Sequence, residues 1–180
     1  MAQMADLTII LGSPASGKTT LARRLAADLS LPCLCKDDVK EALFDVLGWK
    51  DREWSRLLSD ASFAALARLA QVELAAGRSC IVEGNWRAEH APLFRGILTG
   101  QGAGAAQIWC SAEPQEIVRR FTLRRRHAGH LDDLLPRSEL DAVAAQPPNF
   151  MDLAGPRWVY CSDSSTAYAE LLQALNSWRL

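Results

Sequence analysis

Leu7-Thr8-Ile9-Ile10-Leu11 runs directly into Gly12-Ser13-Pro14-Ala15-Ser16-Gly17-Lys18-Thr19, and Leu21, Leu25 and Leu29 follow at four-residue spacing. An apolar pentad, a turn framed by two glycines and a helical repeat predict strand, loop and helix in succession. The loop completes the pattern G-x-x-x-x-G-K-[ST]. Gly12 and Gly17 permit the torsions that turn successive amides inward as an anion nest. The helix beginning near Lys18 directs its positive end at the same point. Lys18 then reaches the β- and γ-phosphates of a nucleotide, and the Thr19 hydroxyl ligates Mg²⁺. A chance glycine-rich turn would not be expected between such a strand and such a helix. Gly12, Ser13, Ala15, Ser16, Gly17, Lys18, Thr19 and Thr20 are therefore the expected nucleotide-binding residues, with ATP and Mg²⁺ as the cofactors.

Working outward, four more apolar segments read as strands: Cys33–Lys36, Ser79–Glu83, Ala106–Cys110 and Trp158–Cys161. Their apolarity is continuous rather than alternating, the mark of a sheet covered on both faces. Helical spacing fills the intervals. Val39, Leu43 and Leu47 form one repeat; Leu58, Ala61, Ala65, Leu69 and Val72 form another, within a stretch from Asp51 to about Ala76 that Gly77 ends. Further helices are expected over about 87–99, 114–126 and 165–178, and Gly100–Ala106 reads as a turn entering a strand. Alternating β and α with right-handed crossovers predicts a three-layer α/β/α P-loop NTPase sandwich, with a five-stranded parallel sheet and a helical lid. Its 180 residues fit a single domain over 1–180, with an acceptor-side insertion at about 37–77 and the lid at about 120–140.

Composition narrows the function classes. A chain that is 49% hydrophobic and 23% charged is neither disordered nor fibrous. Its net charge of −1 argues against a surface that binds polyanions as a whole. Positive charge is instead gathered locally, in the arginines between Arg119 and Arg126. Met1 to Asp6 carries no basic leader region, and no apolar run approaches a membrane span of roughly 20 residues. Five cysteines without a CxxC pair fit neither a disulfide framework nor a zinc site. The expectation is a cytoplasmic chain with reduced thiols and no membrane partner.

Three further segments carry chemistry. Lys36-Asp37-Asp38-Val39-Lys40 closes the second strand, where ligands sit in parallel sheets. A carboxylate there accepts a proton from an attacking hydroxyl, while a lysine holds the acceptor. One aspartate is equally suited to capping the next helix. Glu83-Gly84-Asn85-Trp86-Arg87 closes the third strand, placing an acid where Mg²⁺ or its water is oriented; Asn85 also suits a helix cap. Arg120 and Arg124, four apart after Glu113 and Glu116, share a helical face and suit the charge of a transferring phosphoryl group. Arg119, Arg125 and Arg126 read as a solvated basic face, and His127-Ala128-Gly129-His130-Leu131-Asp132-Asp133 as the lid's tip.

Together these residues resemble the small P-loop kinases grouped with the kinase domain of phage polynucleotide kinase, chloramphenicol phosphotransferase and zeta toxins. The resemblance extends from about Thr8 to Asp163 and rests on Gly12–Thr19, Lys36-Asp37-Asp38-x-Lys40, Glu83-x-Asn85 and Arg120-x-x-x-Arg124. It implies that Asp37 is the general base and that Lys40 contacts the acceptor, one residue short of the arginine in that family's pattern. It implies that Glu83 and Asn85 stand for an Asp-x-Asn pair, with Glu83 and Thr19 on the metal. It places Arg120 near adenine and Arg124 on phosphates, so that Lys18, Asp37 and Arg124 form the catalytic set.

The acceptor side is expected to involve Asp38, Lys40, Asn85, Trp86 and Arg87, Trp86 because it follows the strand-end acid directly. Trp49, Trp54 and Phe63 are aromatics of the kind that more often fill a core. With no nucleic-acid module visible, a small-molecule or nucleoside-like hydroxyl is favoured over a polynucleotide end or a toxin-like nucleotide-sugar acceptor. A regulatory NTPase switch is the rival of another class. Against it, no Asn-Lys-x-Asp guanine segment occurs, and Asp152-Leu153-Ala154-Gly155 precedes the fifth strand, out of order for a switch.

Overall fold

The apolar pentad and its four counterparts assemble into one parallel sheet, in a computed structural model that describes residues 5–179. The start of the chain, read above as lacking a basic leader, lies at 1–4, outside the described residues. The strands are β1 (Asp6–Gly12), β2 (Cys33–Cys35), β3 (Cys80–Glu83), β4 (Gly104–Ser111) and β5 (Arg157–Cys161), in the spatial order β2-β3-β1-β4-β5. Seven α-helices accompany them among the described residues: α1 (Lys18–Leu29), α2 (Lys36–Leu47), α3 (Arg52–Ala75), α4 (Ala91–Gln101), α5 (Pro114–Leu123), α6 (Arg137–Ala144) and α7 (Ala167–Arg179).

Continuous strand apolarity has its reason in two cores. Side chains alternate along a strand, so Leu7, Ile9 and Leu11 of β1 face Phe63, Leu66, Ala70 and Leu74 of α3 and Phe94 and Leu98 of α4. Ile10 faces the other way, onto Leu21 and Leu25 of α1 and Tyr168, Leu171 and Leu175 of α7. A third, smaller cluster joins Ile117 and Val118 of α5 to Leu140 and Ala144 of α6. This is the α/β/α P-loop sandwich expected from the sequence, with the P-loop at the carboxyl end of the central strand.

Element boundaries differ in several places, among them α4, which runs to Gln101, and β4, which begins at Gly104 within the expected Gly100–Ala106 turn. Lys36 opens α2 instead of closing β2. Helix α6, absent from the sequence reading, follows two 3₁₀ turns at Ala128–His130 and Asp132–Leu134. Helix α5 stops at Leu123, and Arg124 is already extended at φ −69°, ψ 147°. The cysteines are all free thiols; Cys33 and Cys35, two apart on β2, place their Sγ atoms 3.6 Å apart. Among the described residues no helix is long and apolar enough to cross a membrane.

Candidate active site

Beyond the carboxyl ends of β1, β2 and β3 lies a cavity of about 750 Å³. One wall is the P-loop. Gly12 has φ +141°, and a Cβ there would lie 2.2 Å from the Cys110 carbonyl oxygen, so only glycine lets the loop leave β1 this close to β4. Ala15 at φ 61° and Gly17 at φ 97° continue the turn. The Ser13 hydroxyl donates to the Val143 carbonyl at 2.8 Å, tying the loop to α6. Lys18 is buried, and its Nζ donates to the Ser13 carbonyl at 2.6 Å. Thr19 Oγ1 donates to Glu83 Oε2 at 3.2 Å. Burial pulls the Lys18 ammonium below its ordinary pKa and pushes the Glu83 carboxyl above its own; the attraction between the two opposes both shifts.

The opposite wall is the first two turns of α2. Lys36, Asp37 and Lys40 all line the cavity. Asp37 makes no capping bond to its helix: the N-cap is Cys35, without a side-chain cap. Its carboxylate instead accepts from Lys36 Nζ at 3.3 Å and from the Arg126 guanidinium. Burial would raise its pKa, but the charges of Lys36 and Arg126 outweigh burial and hold it well below the usual carboxylate range. Asp37 also acts electrostatically on Lys18, so the two lie on one shared space.

The lid segment closes the top. Arg120 is held by Glu116 Oε1 at 2.7 Å, Ser162 Oγ at 2.8 Å and Asp163 Oδ1 at 2.5 Å. Arg124 donates to Asp132 Oδ2 at 2.8 and 3.1 Å and lies 4.1 Å above the Phe121 ring. His130 meets Glu41 Oε1 at 2.8 Å; burial, then the neighbouring Arg126, pushes the imidazole down to about 3, so this contact is a hydrogen bond from a neutral ring. Gly129 seats the lid on α2, since a Cβ there would fall 2.8 Å from the Phe44 ring.

A sequence profile described as an AAA domain matches residues 7–147. The chain belongs to the AAA domain family. A kinase candidate from Chloroflexus aurantiacus j-10-fl is 34% identical to this AAA domain, with a TM-score of 0.89 over 98% of this chain and 99% of that one. Two more distant structures share the fold: Chaetomium thermophilum Kti12 in complex with ADP-AlF3, at 15% identity, TM-score 0.68, over 97% and 99% of the two chains; and Mycobacterium tuberculosis APS kinase CysC in complex with AMPPNP and APS, at 17%, 0.57, over 97% and 96%. No curated protein matches the chain at a significant level. Family and fold make this a P-loop, kinase-like protein and support nucleotide-dependent phosphotransfer in general.

Within this AAA domain the cavity gathers Ala15, Gly17, Lys18, Thr19, Thr20, Asp37, Lys40, Glu83, Asn85, Arg120 and Arg124 from among the residues expected from sequence. Gly12, Ser13 and Ser16 shape the loop beneath them. Three expected acceptor residues fall elsewhere. Asp38 points outward to Arg23 of α1, at 2.9 Å, with both side chains more than half exposed. Trp86 is buried in the core against Phe63, His90 and Phe94. Arg87 is exposed and pairs with Glu89 at 3.6 Å. Trp49, Trp54 and Phe63 also stay out of the cavity lining. Arg126, read as part of a solvated face, in fact lines the cavity and binds Asp37. Because the chain is extended after Leu123, side chains two apart share a side: Arg124 and Arg126 turn inward and Arg125 is exposed. Arg119 does pair with Glu116 at the surface, as expected. Lys36, Arg24, Ser59, His130, Tyr160 and Ser162 also line the cavity.

Proposed function

We propose that this AAA domain moves the γ-phosphate of ATP, with Mg²⁺, to a hydroxyl of a small-molecule or nucleoside-like acceptor. The observation that carries this reading is Asp37: a carboxylate facing the P-loop lysine across one cavity, under lid arginines, and free of any helix-capping duty. A regulatory switch needs no such acceptor-side base. The Asp152–Gly155 segment gives the switch no support either, since Asp152 pairs with Arg95 and Gly155 abuts the Ala105 carbonyl, outside the cavity lining.

In this reading the P-loop amides and Lys18 hold the β- and γ-phosphates, Arg120 borders the base, and Arg124 and Arg126 spread over the transferring group. Asp37 orients the acceptor hydroxyl and takes its proton as the new O–P bond forms and the bond to the β-phosphate oxygen breaks, releasing ADP. Its depressed pKa keeps it ionised. Arg126 leaving it for the phosphates would restore basicity as the proton is passed. Thr19 and Glu83 supply hard oxygens that fit Mg²⁺. Among the described residues no cluster of three acidic, His or Cys ligands exists, so phosphate and water oxygens would complete its sphere. Bound there, Mg²⁺ would neutralise phosphate charge. The site is proposed to act within a cytoplasmic, single-domain protein.

Incubation with γ-labelled ATP, Mg²⁺ and a panel of hydroxyl compounds tests the proposal. Label is expected in an acceptor-dependent product. Slow release of phosphate, indifferent to every acceptor, would favour the switch.

A further inference from the structure

Lys40 is the feature that phosphotransfer to an unspecified hydroxyl does not explain. Its side chain is 4% exposed, yet its Nζ has no carboxylate in hydrogen-bond reach among the described residues. It donates to the Ser55 hydroxyl at 2.8 Å, which passes the bond on to the Gly129 carbonyl at 3.1 Å, and it lies 5.1 Å from the Phe44 ring. A hydroxyl and a ring face compensate a buried ammonium only in part, because desolvating a charge costs several kcal/mol. Burial, followed by repulsion from Lys36, pushes its pKa down to about 8. Lys40 borders the cavity, beside Lys36, Arg126 and Ser59.

Charge at this end is unbalanced. Four cations, Lys36, Lys40, Arg124 and Arg126, stand against three carboxylates: Asp37 is taken by Lys36 and Arg126, Asp132 by the two arginines, and Glu41 by His130, while Lys40 pairs with none of them. His130 is neutral and committed to Glu41. Lys36, Asp37 and Lys40 lie on one face of α2, with Asp37 and Lys40 one turn apart, about 5–6 Å at Cβ.

We infer that the acceptor is itself an anion: a small hydroxy compound bearing a phosphate or carboxylate, whose oxyanion is bound by Lys40 with Lys36 while its hydroxyl lies at Asp37. The inference rests on the phosphotransferase reading and narrows its substrate class. A one-turn spacing suits compact molecules such as a sugar phosphate or a short hydroxy acid. A purely structural Lys40, a strut linking α2, α3 and the lid through Ser55, would need no anion.

The test separates the two and does not require the true acceptor. With the nucleotide half filled by Mg²⁺ and a non-hydrolysable ATP analogue, inorganic phosphate and acetate are titrated by calorimetry into wild type, Lys40→Met and Lys36→Met. Saturable one-to-one binding of at least one anion is expected, weakened about tenfold or more in Lys40→Met while the analogue's Kd stays within about twofold. Which anion binds tells phosphate from carboxylate acceptors. If Lys40→Met does not fold, Lys36→Met takes its place with the same expected loss. No saturable binding, or equal binding by the variant, overturns the inference. In parallel, γ-labelled ATP is offered with ribose against ribose 5-phosphate and glyceraldehyde against glycerate. Preference for the neutral member would remove the anion while leaving the phosphotransferase intact. Anion binding without transfer to any compound in the full panel would retain the anion site and count against the phosphotransferase.

Discussion

Replacing Asp37 by asparagine keeps shape and one acceptor oxygen but removes the charge and the base. A positioned general base contributes about 10²–10⁴ in rate, so kcat for acceptor phosphorylation should fall within that range. The same change has a stability cost that the structure bounds. The Asp37 side chain is 38% exposed, and its partners Lys36 and Arg126 are 7% and 19% exposed. Breaking a fully buried pair costs about 3–5 kcal/mol and an exposed one about 0–1. A site this open belongs nearer the lower figure, about 1–2 kcal/mol, or about 2–8 °C in Tm for a chain of this size. Lys36 limits the loss further. Burial already lowers its pKa and Asp37 opposes that shift, so without Asp37 it can shed its proton instead of unfolding the helix. Single-turnover transfer from γ-labelled ATP, alongside thermal melting, separates the effects. A melting loss of a few degrees with acceptor-dependent turnover within about threefold of wild type would refute the base assignment, because Asp37 would then be a clamp alone.

Three other outcomes follow from the same geometry. Arg126→Met should lower kcat about 10²-fold or more with little change in ATP affinity, since Lys18 and the P-loop amides remain; an Arg125→Met variant should match wild type in the same transfer assay. Trp86→Ala should cost about 3–5 kcal/mol, whereas Trp86→Phe should cost far less, because the buried Nε1 has no partner to lose; denaturant melts read both, and an acceptor KM that moves without a stability change would return Trp86 to the pocket. The pH dependence follows from Lys40. Its folded pKa, about 8, makes it a cation below that pH and neutral above, so KM for an anionic acceptor should rise as pH increases through 8, and Lys40→Met should abolish that limb.

Most of the fold was legible because its determinants are local: a complete P-loop between an apolar strand and a helical repeat, and strand segments apolar on both faces. Placement at the cavity was legible where a side chain's direction depends on its own turn of chain, as at Lys18, Thr19 and Glu83. Helix α6 escaped because eight residues with only Leu140 and Ala144 buried leave a faint repeat, and its contacts with Ser13 and α5 are distant in sequence.

For Trp86 the cause of the misplacement is parity. On β3, Cys80 and Val82 face α3 and α4, while Ile81 faces α1 and α7. Continuing that alternation past the strand sends Glu83 and Asn85 to the cavity and Trp86 to the side of Val82, where it lies. Proximity in sequence to the strand-end acid therefore argued for the wrong side of the sheet. Period two also governs the segment after Leu123, and a helical reading there admits Arg120 and Arg124 but hides Arg126. Asp38 fails by the helical rule instead: on α2, residues 36, 37 and 40 share a face, and the next position turns about 100° away, toward Arg23. At each of these positions the chemistry was read from residue type, while the direction of the side chain was set by the local backbone period. Asp37 and Lys40 meet both conditions at once, which is why the acceptor chemistry is proposed for that pair.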